Sequence, residues 1–349
     1  MILTGWTLTA AALFLTISDA SAKEAKAPDP LFQSDEILDV RIVVPLATIL
    51  SERSDEIELP GTLHYTSDAG DSVNLDIKMQ TRGRFRRQKD VCKFPPMRLN
   101  FVKSQAKKTL FHKQDKLKLV THCQTSGAYE QVLLREYTAY RILNVMTDAS
   151  FKVRLLRITY VDADGKKGDD VRFGFVIEHR DRLAKRLGKT VLEIPSTHPN
   201  TLNAEYSGMV DLYHYLIGNT DFSSVKGAKD DACCHNHVLF GNEGEKVWSV
   251  PYDFDQSGLV NAPHAGANPR FKLKTVRERL YRGRCRFNDN LRASIEEFNG
   301  KRDEIFVVLN EVEAATSRSV KSMVSFVERF YKTVNSERRV KSDLIKRCI

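Results

Sequence analysis

Two hydrophobic periods run along this chain, and the change from one to the other divides it. Across residues 37–101 apolar positions favour every second residue. Val73, Leu75, Ile77 and Met79 share one face, and Met97, Leu99 and Phe101 alternate with Arg98 and Asn100. This is the signature of half-buried strands. A third short run covers residues 117–120, with Lys116 and Lys118 between apolar positions. Residues 129–145 then change to helical spacing, carried by Val132, Leu133, Tyr137, Tyr140 and Leu143. Two more strands are predicted over residues 153–161 and 171–177, joined by the turn Asp162-Ala163-Asp164-Gly165.

Beyond Glu178 the character changes. A charged helix is predicted over residues 180–187 and an amphipathic one over 204–217. Two short strands follow at 238–240 and 247–250, and residues 295–330 read as largely helical, with Phe306, Val307, Leu309 and Val312 on one face. The expectation is an α+β chain in two lobes. A small β-rich N-lobe would cover residues 35–180 and a larger, mainly helical C-lobe residues 181–349, with the boundary near 178–190. A chain of 349 residues is long enough for two such lobes around a cleft. Residues 23–34, with two prolines, read as a linker.

Residues 1–17 are apolar and lead to Ala20-Ser21-Ala22, which predicts a secretory leader cleaved after Ala22, although no Lys or Arg precedes the apolar core. No later stretch is apolar enough to span a bilayer, so the expected location is exported, periplasmic or extracellular. Loss of the leader removes Asp19 and no base, raising the formal net charge from +9 to +10. Such a chain suits anionic partners: nucleotide phosphates, envelope polymers or acidic exported proteins. Nucleic acid is not an expected partner, because Pro95 and Pro96 interrupt the one aromatic-basic stretch able to stack bases.

An even set of six cysteines in an exported chain predicts disulfides. Cys92 and Cys123 flank neighbouring strands and are expected to pair. Cys233 and Cys234 are adjacent and awkward to bridge to each other, so one of them is expected to join Cys285. Zinc is a rival use of Cys233, Cys234, His235 and His237, but their spacing is tighter than zinc sites use.

The chemistry concentrates in residues 218–258. Two acid-bearing turns, Gly218-Asn219-Thr220-Asp221 and Tyr252-Asp253-Phe254-Asp255, bracket Asn236 at the head of an apolar run. Phosphoryl transfer from ATP uses one carboxylate to orient the acceptor hydroxyl, and an Asn plus a second carboxylate to hold the metal on the phosphates. Asp221, Asn236 and Asp253 have the residue types for these roles. The predicted hairpin between Asn236 and Asp253 would bring those two together as oxygen ligands for Mg²⁺ or Mn²⁺. Asp255 would share the metal or brace the loop.

The pairing of GNTD with N-x-VLF and P-Y-D-F-D resembles the spore-coat CotH family of atypical kinases, with a fainter likeness to HipA-type and lipid-kinase catalytic loops. Upstream, Arg82-Gly83-Arg84-Phe85 followed by Lys93 and the strand at 97–101 is similar to that family's Arg-Gly turn, basic stretch and basic strand. Gly174-Phe175-Val176-Ile177-Glu178 resembles its strand entering the hinge. The likeness spans roughly residues 75–260, and only the 218–258 block is specific. It implies a bilobed protein-kinase-like fold with ATP and a divalent metal as cofactors. It also implies Asp221 as the catalytic carboxylate and Asn236 and Asp253 as metal ligands. A small-lobe cation would touch the phosphates and be tied to a helix glutamate. Glu136 is the glutamate of choice. Arg98, Lys118 and Lys93 compete for the cation, with Arg82, Gly83 and Arg84 also placed to meet phosphate.

The chain departs from the kinase pattern in one respect. Fourteen residues, 222–235, separate Asp221 from Asn236, where the protein-kinase signature leaves about five positions from Asp to Asn. Asp230 and Asp231 are therefore alternatives to Asp221. An arginine cluster at Arg277, Arg279, Arg282, Arg284 and Arg286 reads either as a grip for an acidic substrate or as a solvated basic stretch. His264 and His122 show no partner spacing and read as structural or surface residues. The expected function is an exported kinase passing the γ-phosphoryl group of ATP to a protein Ser or Thr hydroxyl. The alternative is a pseudokinase or basic envelope-binding protein that holds an anionic partner without catalysis.

Overall fold

A computed structural model of the chain describes residues 25–228 and 232–349. The predicted leader and the alternative carboxylates Asp230 and Asp231 lie outside the described residues. Seven strands close into a barrel: β1 (Leu38–Val44), β2 (Leu59–Thr66), β3 (Ser72–Thr81), β4 (Met97–Phe101), β5 (Lys116–Val120), β6 (Val153–Asp162) and β7 (Asp170–Ile177). Their order around the barrel is β1-β2-β3-β4-β5-β7-β6. Every pairing is antiparallel except the one that shuts the ring, where β1 runs parallel to β6 from Leu38↔Leu156 to Val44↔Asp162. The alternation read from the sequence sets which side chains point inward. Leu75, Ile77 and Met79 of β3 and Leu99 of β4 fill the interior with Ile42, Leu63, Leu117 and Ile158. The short helix α1 (Leu46–Glu52) packs against β3 and β6, and α2 (Lys103–Ala106) against β3.

Helix α3 (Gly127–Met146) leaves the barrel after β5 and returns to β6. Its Tyr137 and Tyr140 pack on Phe175 of β7. Its other flank packs on the C-terminal helices. The remaining elements are α4 (Arg180–Leu187), β8 (Thr190–Val191), α5 (Ala204–Ile217), β9 (His237–Gly241), β10 (Trp248–Pro251), α6 (Leu291–Gly300), α7 (Arg302–Asn310), α8 (Ser317–Val334) and α9 (Glu337–Arg339). Strands β8, β9 and β10 form a second sheet in the order β10-β9-β8.

This corrects the expected fold class. The N-terminal half is a closed seven-stranded barrel, and the C-terminal half carries a sheet of its own, so the chain is not a bilobed kinase-like fold of β-rich N-lobe and helical C-lobe. The physical reason lies in α3. Leu133, Tyr137, Ile142 and Leu143 share one apolar core with Phe175 of the barrel and with Leu212, Phe254, Phe326 and Phe330 from the C-terminal half. The amphipathic pattern announced that α3 had a buried face, but not that both flanks would be covered. Within residues 23–34, Leu31 and Phe32 are buried against the barrel, and Asp29 pairs with Arg182 at 2.6 Å. No described helix is long and apolar enough to cross a membrane.

The segment between β3 and β4 carries the Arg-Gly turn and is held at both ends. Arg53, whose backbone is left-handed at φ 53°, donates from its guanidinium to the carbonyls of Arg87, Cys92 and Lys93 at 2.6–3.0 Å. Cys92 is bonded to Cys123 just beyond β5, as expected. The other pairings differ from expectation: Cys285 joins Cys348, and Cys233 joins Cys234 across a cis peptide. Removing the Cys92–Cys123 bridge frees a long loop of unfolded chain. The C92S/C123S variant should lose about 3.7 kcal/mol in urea unfolding, the entropy expected for a separation of 31 residues.

Candidate functional site

Two turns are stitched together below the barrel mouth. Helix α5 starts with the Asn203 side chain accepting from Tyr206 N at 2.8 Å, and it ends at Gly218, which is left-handed at φ 65°. A Cβ at Gly218 would meet Phe326 at 2.9 Å, so both the backbone and the space require glycine. Asn219 then accepts from Asp221 N at 2.9 Å, forming the small turn that sets the direction of Asp221. The second turn closes onto the first through Gly258 N to Gly218 O at 3.1 Å and Leu259 N to Ile217 O at 2.9 Å.

The hairpin does what its sequence predicts. Pro251 lies opposite His237 in the β9–β10 register, and Tyr252 N donates to Asn236 O at 3.0 Å. Asn236 and Asp253 therefore sit at the same open end of the hairpin. Both have left-handed backbones, at φ 55° and 61°, an uncommon conformation for residues other than glycine and one that clusters at functional sites. Asp253 N donates to the buried Tyr140 hydroxyl of α3 at 2.8 Å, and Phe254 is buried between Tyr140 and Tyr213.

The long insertion after Asp221 returns to its start. Ser223 N donates to His235 O at 3.0 Å, and Asn236 Nδ2 donates to Asp221 O at 2.8 Å and to its Oδ2 at 3.1 Å. His235 Nε2 meets Asp221 Oδ1 at 2.8 Å, and that hydrogen bond holds His235 above the usual imidazole range. Asp221 and Asn236 are thus in direct contact despite the residues between them.

The cation that ties these parts together is Arg86, which the sequence reading passed over. It lies within ion-pair reach of Glu136 at 3.6 Å, Asp253 at 3.4 Å and Asp255 at 3.4 Å. Burial pushes the Glu136 carboxyl up, with Asp255 and Asp253 adding to the rise against Arg86. Burial also raises Asp253, with Asp255 beside it. Asp255 is held down instead: Arg86 and a 3.0 Å contact with His264 outweigh its burial. Asp253 keeps 39% of its side chain exposed, whereas Asp255 keeps 9%. Of the two carboxylates expected to serve a metal, Asp253 faces solvent and Asp255 braces the loop. His264 has a partner after all, nine positions from it in sequence. His122 is buried, its ring tilted against that of Phe94 at 4.6 Å between centroids.

The expected phosphate contacts separate into three groups. Arg98 and Lys118 face each other across β4 and β5 and line a cavity of about 310 Å³ with Tyr252, His179 and Arg180. The Lys118 ammonium lies over the Tyr252 ring at 4.6 Å, and its pKa is lowered to about 8 by burial and by the neighbouring Arg82, against the pull of Asp253. Arg82 is also close to Asp253, and burial and Arg86 lower its pKa. Glu178 borders the same cavity, but its carboxylate is bound by Arg186 at 3.0 Å and by Lys152 N at 3.2 Å. Lys93 is exposed, with its carbonyl held by Arg53, and does not face Glu136. Glu136 takes Arg86 as its partner rather than Arg98, Lys118 or Lys93.

The arginine cluster is neither a substrate grip nor a solvated stretch at its centre. Arg279 donates to the carbonyls of Tyr215 and Leu216, satisfying the buried C-terminal end of α5, and to that of Phe326 in α8. Arg282 donates to Thr220 O and Phe222 O at 2.8 Å and stacks on Phe222 and Phe271. It therefore clamps the turn that carries Asp221. Behind that turn lies a buried polar string: Asn219, His214, His237 and Ser249, with the two imidazoles 3.0 Å apart.

Compared with known proteins, the chain matches no family model and no curated protein.

Two outcomes follow from these contacts. Replacing Arg86 by Met strands three carboxylates and should cost about 3 kcal/mol, read by urea unfolding near pH 7.5. Adding E136Q should recover part of that loss. The second outcome concerns pH. Burial holds His214 and His237 neutral, His237 at about 3, while in the unfolded chain each titrates near 6.5. The folded state binds fewer protons, so stability is full above about 6.5 and falls as pH drops toward 3, by up to about 1.4 kcal/mol per unit for each ring. H237Q should flatten that slope when unfolding is measured from about pH 6 to 4.

Proposed function

We propose that the crevice between the barrel mouth and the β9–β10 hairpin binds ATP with Mg²⁺ or Mn²⁺ and passes the γ-phosphoryl group to an acceptor hydroxyl of the protein Ser or Thr type. The observation that carries this reading is the meeting of Asp221, Asn236 and Asp253 at one open edge, with Lys118 and Arg82 near Asp253. The resemblance of the 218–258 block to CotH-type kinases supports the same roles. Membership of that family is part of the proposal.

The donor set fits a hard cation. Asn236 commits Nδ2 to Asp221, leaving Oδ1 as its remaining donor beside the exposed carboxylate of Asp253. Among the described residues no three His, Cys, Asp or Glu side chains gather as a closed metal site. A cation held by Asn236 and Asp253 would keep most of its positions for phosphate and water, as Mg²⁺ does. When bound, it would neutralise charge on the phosphates. Asp221, partly exposed and fixed by Asn236 and His235, would orient the acceptor hydroxyl and accept its proton. The new bond joins the acceptor oxygen to the γ-phosphorus as the β–γ bridge breaks, and ADP leaves. Lys118 and Arg82 would hold the phosphates, so catalysis is positioning and electrostatics. The basic charge and disulfides suit an exported protein acting on an anionic target.

Arg86 favours a second reading. It already pairs with Asp253, Asp255 and Glu136, an arrangement that a nucleotide- or anion-binding protein without transfer would also use. Thermal shift and labelled-ATP incubation separate the two. The kinase reading expects stabilisation by ATP that depends on Mg²⁺ or Mn²⁺ and is lost in N236A and D253N. It also expects D221N to keep the shift while transfer falls by about 100-fold or more. A metal-independent shift without transfer supports the binding protein, and no shift at all overturns both.

A further inference from the structure

On the far side of Glu178 from the nucleotide crevice lies a separate cavity of about 440 Å³, bounded by α4, the turn before β5 and the segment that precedes the barrel. Its charges are unevenly balanced. Asp29 is gripped by Arg182 at 2.6 and 2.8 Å, and it also accepts from Gln114 Nε2. Glu178 is gripped by Arg186 at 3.0 and 3.2 Å. Each carboxylate is thereby cancelled by its own arginine. Lys26, Lys113 and Lys185 line the same space, and among the described residues no carboxylate lies within ion-pair distance of any of them. All three lysines are exposed, and their summed charge around one concavity would attract an anion.

A local feature holds each of the three lysines there. Lys113 is left-handed at φ 64°, a conformation costing a lysine about 1 kcal/mol. It is imposed by a turn in which Gln114 N donates to Phe111 O, with Phe111 buried in the barrel core. Lys26 is fixed by its backbone N–H, which donates to Arg186 O at 2.9 Å. Lys185 sits in the last turn of α4, where a cation also gains from the helix dipole. The dipole accounts for Lys185 but not for Lys26 or Lys113.

We propose that this cavity is a second anion site, distinct from the nucleotide crevice, that takes a compact anion of several charges such as a pyrophosphate or bisphosphate group. Its three lysines would contact the anion, and the half-buried Arg182–Asp29 and buried Arg186–Glu178 pairs would form the wall behind it. This proposal stands whether or not the crevice transfers phosphate.

The test is calorimetric titration of the full chain with inorganic pyrophosphate in metal-free, low-salt buffer. Three variants accompany the wild type: K113E/K185E, K118M, and K321E/K332E as a remote control with the same charge change. K113E/K185E should weaken pyrophosphate binding at least about ten-fold while lowering the unfolding temperature by no more than the reversed charge at the end of α4 explains; K321E/K332E binds within about two-fold of wild type, and K118M, which removes a phosphate contact of the crevice, keeps the binding that depends on Lys113 and Lys185. The proposal is overturned if K113E/K185E binds pyrophosphate as well as wild type does, if only K118M loses it, or if the remote control loses as much as K113E/K185E.

Discussion

The arrangement around the candidate site depends on one guanidinium. Arg86 comes from the segment between β3 and β4, Glu136 from α3, and Asp253 and Asp255 from the turn after β10. Three carboxylates in one crowded place repel one another and resist desolvation, so they share it only around a cation. Arginine suits the position better than lysine, because its fork can meet several oxygens at once and stays charged when enclosed. The contact also crosses the chain: a barrel loop, a core helix and the end of a hairpin are brought into register by a single side chain. The supports behind it are equally specific, with Arg53 and the Cys92–Cys123 bridge fixing the loop that delivers Arg86.

Much of this was legible in the sequence, and the failures share a cause. The alternation at residues 73–79 and 97–101 gave strands, and the turn–strand–strand–turn order of residues 218–258 brought Asn236 and Asp253 together. Local patterns report what neighbours in sequence do. Arg86 was missed because nothing in Arg82-Gly83-Arg84-Phe85-Arg86-Arg87 distinguishes one arginine from the next; only the distant partners do. Asp221 and Asn236 meet because backbone bonds fold the insertion back on itself, which the count of intervening residues conceals. The two-lobe expectation failed for a related reason. An amphipathic helix shows that it has a buried face, while the number of elements covering it is set by the whole fold. Ring closure by β1 and β6 is a pairing between distant segments, to which periodicity is blind.

The arginines also change what the basic composition means. A formal charge of +9 invites a search for anionic partners, yet Arg53, Arg279 and Arg282 are committed to backbone carbonyls, and Arg86 and Arg186 to enclosed carboxylates. Much of the positive charge works inside the molecule, capping a helix and clamping turns. Some of the remaining cations line the Arg98–Lys118 cavity and the concavity beside α4.

The parallel seam between β1 and β6 carries a consequence for biogenesis. A nascent chain delivers β1 first but cannot seat it until β6 has been synthesised, more than a hundred positions later. Until then the edge of β1 that pairs with β6 has no partner, the kind of margin that recruits foreign strands. A long wait for a distant partner slows folding, because the entropy of that loop must be lost before the contact forms. In a cell, the half-made barrel is therefore the stage at which a chaperone would matter most.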